Sequence, residues 1–134
     1  RGLGALARAA PAEGYDVVMV DAPCSGLGTV GHRPDALLRL RDDAAWAALL
    51  ETQSRILAQV APRVRPGGVL VYAVCTLDRA EGDGVVERFL AERAEFVPVE
   101  GGAALPDRLR PHRVVLDTAT DGTDGFMIWR LRRR

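Results

Sequence analysis

The chain has 134 residues and 48% hydrophobic content, the size and apolar fraction of one packed domain or a large piece of one. Its 18 basic residues, all arginine, balance 18 acidic ones, so net charge alone draws it to neither nucleic acid nor membrane, and the lack of lysine excludes Schiff-base chemistry. No apolar run approaches the roughly 20 residues that span a bilayer, the opening RGLGALARAAPAEG lacks a secretory apolar core, and two cysteines with two histidines are too few for a disulfide framework or a zinc site; the reading is a soluble, cytoplasmic protein with reduced thiols, no metal and no membrane.

Arg1 leads through a short alanine-rich stretch straight into a strand, which suggests an excised fragment. Tyr15 to Asp21, YDVVMVD, is a continuous apolar run with the length and β-branched content of a strand buried on both faces, and it points to a parallel sheet. The next segment, APCSGLGTVGHRPD, carries turn chemistry and reads as a loop leaving the strand's carboxyl end. From Asp43 to about Val64, the positions Trp46, Leu49, Leu50, Ile56, Leu57 and Val60 follow helical spacing, with Gln53 the one polar interruption and Asp42 or Asp43 as the cap. That helix stops at Arg65-Pro66-Gly67-Gly68, and Val69 to Val74 is a second buried strand ending at Cys75.

A second helix is expected from about Asp78 to Arg93, with Val85, Val86, Phe89 and Leu90 on one face and Gly82 and Gly84 weakening its first turn. Beyond Phe96 and Val97 the chain is loop-like through Asp107 to Pro111. Short strands follow at Arg113 to Leu116 and Gly125 to Leu131, an antiparallel edge on a mixed sheet. No internal repeat, low-complexity tract or domain linker interrupts the pattern. The fold class is α/β.

In a right-handed βαβ unit the loops after both strands emerge at the same edge of the sheet. Cys24 and Cys75 then face one crevice, with Asp21 at the same rim, where open α/β sheets hold their ligands. Taken singly, each cysteine also fits the role of a small buried hydrophobe, and Asp21 that of a cap on the next turn. The shared edge weighs against the first of these alternatives.

The words DAPCSG and PGGVLVYAVCTL, with the closing DGFMIWRL, resemble the fourth motif, the sixth motif and the last strand of the Sun (Fmu) family of RNA cytosine-5 methyltransferases. The resemblance covers nearly the whole chain from Tyr15 onward. It implies a Rossmann-like methyltransferase fold, S-adenosylmethionine as methyl donor, and cytosine in rRNA or tRNA as acceptor. Cys75 is then the nucleophile, Cys24 the residue that helps release product, and Asp21 a hydrogen-bond partner of the base that also borders the cofactor. Pro23 stiffens the substrate loop, while Ser25 and Gly26 let the backbone approach a bound base. Thiolate is suited to the first role because it is nucleophilic near neutral pH, and adding it to the ring divides one hard step into two easier ones.

The chain also departs from that family. Val74 stands where a threonine usual for the family would offer a hydroxyl beside the thiolate, and Thr76 stands where serine is usual. In DRAEGDG, Glu81 and Asp83 read as solvated helix-start residues with no site role. No glycine-rich cofactor loop follows an early strand, GLGTVG reading instead as a flexible substrate-side loop. Residues 1–134 are therefore expected to be the carboxyl-terminal part of one catalytic domain, binding cofactor weakly or not at all, with exposed sheet and helix surfaces that invite dimerisation. Arg33, Arg39 and Arg41 are candidate phosphate contacts or ordinary surface arginines, and the Arg130–Arg134 tail is a basic arm or a solvated terminus. His112 has no role. A catalytically silent RNA-binding or scaffold module is the alternative from another class, while a redox dithiol protein is disfavoured because the cysteines form no Cys-x-x-Cys turn.

Overall fold

The computed structural model describes residues 11–134, apart from the side chains of residues 38–41. Strand β1 (Tyr15–Asp21), helix α1 (Asp43–Val60) and strand β2 (Val64–Val74) form the expected crossover, with β1 and β2 parallel from Val17↔Val69 to Asp21↔Ala73. Asp42 starts α1 by accepting the Ala44 and Ala45 amides at 3.0 Å each, which satisfies donors that have no partner inside a helix. Helix α2 (Val85–Glu92), strands β3 (Phe96–Pro98) and β4 (Arg113–Leu116), the short α3 (Thr118–Asp121) and strand β5 (Phe126–Arg133) follow. β5 runs antiparallel beside β2. Its other edge takes β3 opposite Leu131 to Arg133 and β4 opposite Phe126 to Trp129, so the sheet is mixed as expected.

The core lies between one face of this sheet and the two long helices. Leu57 of α1 and Val85, Val86 and Phe89 of α2 pack against Leu70, Tyr72 and Val74 of β2 and Met127, Trp129 and Leu131 of β5. Leu57, Leu70, Tyr72, Val74 and Leu131 are fully enclosed, and each such large apolar side chain contributes about 2 kcal/mol of transfer free energy.

Burial of β1 on both faces is not observed. Val18 and Val20 face the core, but Val17 and Met19 are 60% and 67% exposed, because β1 is an edge strand of the described sheet and both helices cover the opposite face. Its run of apolar residues has an alternating strand's burial.

Three other boundaries differ from the sequence pattern. Helix α1 ends at Val60, and after a 3-10 turn over Ala61–Arg63 strand β2 already starts at Val64, so Arg65-Pro66-Gly67-Gly68 is a bulge inside the strand. Pairing jumps from Tyr15↔Val64 to Val17↔Val69. Gly67 takes φ of 80°, a region disfavoured for side-chain-bearing residues, and a Cβ on Gly68 would lie 2.9 Å from the Tyr15 and Arg65 carbonyl oxygens. The second helix begins as a π-turn over Ala80–Gly84, where Gly82 packs so tightly under Trp129 and Met127 that a Cβ would collide with both. Finally, the basic tail is neither arm nor free terminus, for Arg130–Arg133 belong to β5. There Arg130 donates to the Pro111 carbonyl at 2.8 Å and Arg133 to that of Val64 at 2.7 Å.

Candidate active site

Parallel pairing carries β1 and β2 to the same rim, and the Ala22 amide extends it by donating to the Ala73 carbonyl at 3.0 Å. Cys75 is the first residue past β2 and Cys24 lies three residues past β1. Their sulfur atoms are 3.0 Å apart. Both thiols open onto a cavity of about 430 Å³ whose lining includes Asp21, Pro23, Ser25, Gly26 and Arg33, a size typical of small-ligand sites. The structure therefore gathers every residue singled out in the two cysteine motifs. Both cysteines are partly exposed, and Cys24 also packs against the edge of the core. Asp21 is exposed, and its carboxylate caps no turn and has no hydrogen-bond partner among the described residues.

The loop around Cys24 is tied down rather than flexible. Gly26 adopts φ of 76°, the Leu27–Thr29 turn follows, and the Gly28 amide donates to the Cys75 carbonyl at 3.0 Å while the Gly28 carbonyl accepts the Gly125 amide at 2.8 Å. A Cβ on Gly28 would collide with the Gly125 carbonyl. One glycine thus stitches the loops after β1 and β2 to the entry of β5.

Beneath the loop lies a carboxylate that the sequence pattern assigned to solvent. Glu81 is fully buried. Its Oε2 accepts the Ser25 amide at 2.8 Å and Gln53 Nε2 at 2.9 Å, and its Oε1 accepts the Ser25 hydroxyl at 2.5 Å. Gln53, the lone polar residue on the apolar face of α1, is also fully buried and donates a second hydrogen bond to the Pro23 carbonyl at 2.9 Å. Ser25 accordingly turns its hydroxyl inward, with Thr76 Oγ1 3.3 Å away.

Both residues had a legible signal. Gln53 interrupts an otherwise apolar stripe, and Glu81 extends the Val85 and Phe89 stripe by one further step of four. Asp83 also departs from the solvated reading, accepting both Arg113 Nε at 2.6 Å and Nη2 at 2.9 Å with its side chain 12% exposed. Val74 packs in the core, so the side chain at that position points toward the helices.

Of the candidate phosphate contacts, Arg33 borders the cavity and pairs loosely with Asp35 at 3.8 Å. The side chains of Arg39 and Arg41 lie outside the described residues.

Burial, and then the hydrogen bond with Cys75, push the Cys24 thiol well above its ordinary pKa. At neutral pH Cys24 keeps its proton and is the natural donor to the Cys75 sulfur. The arrangement sets two sulfur atoms in contact at the mouth of one cavity, the Cys24 thiol holding its proton beside the Cys75 sulfur.

A family model described as "16S rRNA methyltransferase RsmB/F" matches residues 5–132. The chain is 39% identical over 127 residues to "Probable ribosomal RNA small subunit methyltransferase B" of Bacillus subtilis, an alignment covering 91% of this chain and 28% of that protein. It is 43% identical over 118 residues to ribosomal RNA small subunit methyltransferase B of Thermus thermophilus, covering 87% and 29%. Among solved structures it is similar to NSun6 from Pyrococcus horikoshii with SFG, at a TM-score of 0.66 and 28% identity over 86% of this chain and 29% of that one. A methyltransferase homolog from Pyrococcus horikoshii shares the fold at a TM-score of 0.68 and 24% identity, covering 98% and 42%. The chain thus spans less than a third of the length of these two curated relatives. Its paired thiols, its mixed sheet and a match running through almost its entire length place the chain in the 16S rRNA methyltransferase RsmB/F family.

Proposed function

We propose that this chain is the carboxyl-terminal part of the catalytic domain of an S-adenosylmethionine-dependent methyltransferase that modifies carbon 5 of a cytosine in rRNA or tRNA through a covalent cysteine adduct. The observation that carries this reading is the pair of sulfur atoms 3.0 Å apart at the mouth of one cavity, with the unpartnered Asp21 carboxylate beside them.

Carbon 5 of cytosine is a weak nucleophile because the ring is electron-poor. Addition of the Cys75 sulfur at carbon 6 turns the ring into an enamine, and carbon 5 becomes able to attack an electrophilic carbon. Asp21 accepts a hydrogen bond from the base's exocyclic amine and holds the ring as charge shifts through it. Once carbon 5 carries its new methyl group, the Cys24 sulfur removes the carbon 5 proton. The electrons of that C–H bond re-form the carbon 5–carbon 6 double bond, and the Cys75–carbon 6 bond breaks. To act as this base Cys24 first passes its own proton to water at the open rim, because burial, the main cause of its raised pKa, persists when Cys75 is bonded to the base. Arg33 at the cavity edge is placed to meet a phosphate of the same nucleotide.

S-adenosylmethionine supplies the methyl group when bound, and the described residues do not by themselves make its site. Asp21 is the acid they offer at the rim, and the loop after β1 runs into the Leu27–Thr29 turn rather than a glycine-rich entry to an α-helix.

The test uses the full-length enzyme with S-adenosylmethionine and 16S rRNA transcribed in vitro. Cys75→Ala abolishes methyl transfer, and Cys24→Ala accumulates RNA bonded to the protein that survives denaturing electrophoresis. Methylation that persists in Cys75→Ala would refute the mechanism, and a wild-type protein that binds the transcript without methylating it would favour the silent RNA-binding module.

A further inference from the structure

We propose that Glu81 is a positioning residue for the Cys24 loop, and that it governs release of product rather than transfer of the methyl group. The inference rests on the reading of Cys24 given above.

Two buried side chains grip the peptide groups on either side of Cys24. Gln53 of α1 donates to the Pro23 carbonyl before it at 2.9 Å, and Glu81 of the π-turn accepts the Ser25 amide after it at 2.8 Å. Gln53 Nε2 also donates to Glu81 at 2.9 Å, joining the two grips, and the Ser25 hydroxyl closes on the other carboxylate oxygen at 2.5 Å. Glu81 is itself anchored, since Tyr72 Oη donates to its backbone carbonyl at 2.9 Å. Cys24 is therefore bracketed by hydrogen bonds on both sides while its own sulfur faces Cys75.

The cluster is a poor way to gain stability. A carboxylate taken out of water and met by neutral donors is among the costliest groups to bury, and the stripe that carries Val85 and Phe89 would accept an apolar residue at that position. Gln53 adds to the cost, because its Oε1 is buried with no hydrogen-bond partner among the described residues. What the cluster does provide is geometry. A carboxylate that receives three donors along fixed directions leaves little freedom to the peptide between them. Cys75, by contrast, is held chiefly by the end of β2, and its links to the loop are the Gly28 amide on its carbonyl and the Ser25 hydroxyl 3.3 Å from the neighbouring Thr76 Oγ1. Loosening Glu81 should move Cys24 more than Cys75.

A glutamine at position 81 keeps the volume but turns an N–H toward donors that need an acceptor. In the full-length enzyme, single-turnover and multiple-turnover methylation of transcribed 16S rRNA are measured beside denaturing electrophoresis for covalent adduct. Glu81→Gln keeps its single-turnover methyl transfer within about 3-fold of wild type, loses about 10-fold or more in steady-state turnover, and accumulates adduct through Cys75. Ser25→Ala, which removes one donor and leaves the amide, shows the same split at smaller amplitude, and it serves if Glu81→Gln does not fold. A residue acting only through stability would lower both rates together and leave no adduct, and that result in either variant overturns the proposal. Cys24→Ala is the control: adduct in Cys24→Ala without adduct in the Glu81 and Ser25 variants refutes this inference alone, whereas absence of adduct in Cys24→Ala refutes the underlying reading of Cys24.

Discussion

Glu81 and Asp83 sit two residues apart on one turn and hold two different parts of the molecule in two different ways. At the cysteine rim, Glu81 is fully buried among an amide, a hydroxyl and a carboxamide. At the β4 flank, Asp83 meets the Arg113 guanidinium in a fork and is also reached by Arg79 at 3.1 Å, near enough to water that Arg113 is 36% exposed. A partly exposed ion pair fastens two elements for little net free energy and tolerates movement. A buried carboxylate fed by neutral donors tolerates almost none, because any donor that leaves has no water to replace it. The contrast teaches where this sheet is built for fastening and where for placement.

The largest expected effect comes from removing the sulfur proposed to attack the base. Cys75→Ala should lower kcat/KM for methylation by about 10³-fold or more, since no other sulfur takes its position. Next is the backbone stitch that holds Cys75. Gly28→Ala drives a methyl group into the Gly125 carbonyl, which neither backbone can avoid, and should destabilise the fold by about 3 kcal/mol in denaturant titrations. Gly31→Ala, where a Cβ meets nothing within 4 Å, is its matched control and should leave the unfolding midpoint unchanged.

The smallest effects belong to the β4 flank. Arg113→Ala should cost about 1 kcal/mol or less and leave methylation per folded molecule intact, although it also removes the guanidinium lying 5.7 Å over the Trp129 ring. The pH dependence has a definite sign. The Arg113 guanidinium holds the Asp83 carboxyl below its ordinary range, so its contribution is complete above the unfolded pKa of about 3.9 and fades as pH falls through the lower folded value. The difference in melting temperature between wild type and Asp83→Asn should therefore be constant near neutrality and shrink below about pH 4. A difference that instead grew as the pH fell would contradict the pairing.

The sequence made the rim legible because its determinants are local. Two β-branched runs joined by a capped helix favour a right-handed parallel crossover, and that topology sets Cys24 and Cys75 at one edge. The residues that lock the loop were harder to read, because their burial is decided by tertiary packing. Glu81 turns inward through a π-turn that exists because Gly82 slides under Trp129 and Met127. The start of β2 was hidden for a similar reason, the Arg65-Pro66-Gly67-Gly68 signal being real turn chemistry absorbed as a bulge against Tyr15 and Asp16. The arginines at 130 to 133 read as a tail because charge suggests solvent, yet alternate residues of β5 bury Met127, Trp129 and Leu131. Gln53 was the exception, a tertiary contact announced by one polar residue on an apolar stripe.

The central claim is that the two thiols serve one base, with Cys75 forming the bond and Cys24 ending it. Its most direct measurement replaces the target cytidine in the RNA by 5-fluorocytidine, which offers no proton at carbon 5 for Cys24 to remove, and identifies the protein residue left bonded to the RNA by peptide mass spectrometry. The account predicts a stable adduct on Cys75 of the wild-type enzyme, with methyl transferred and Cys24 unmodified. An adduct on Cys24, or methylated RNA released with no adduct at all, would contradict it.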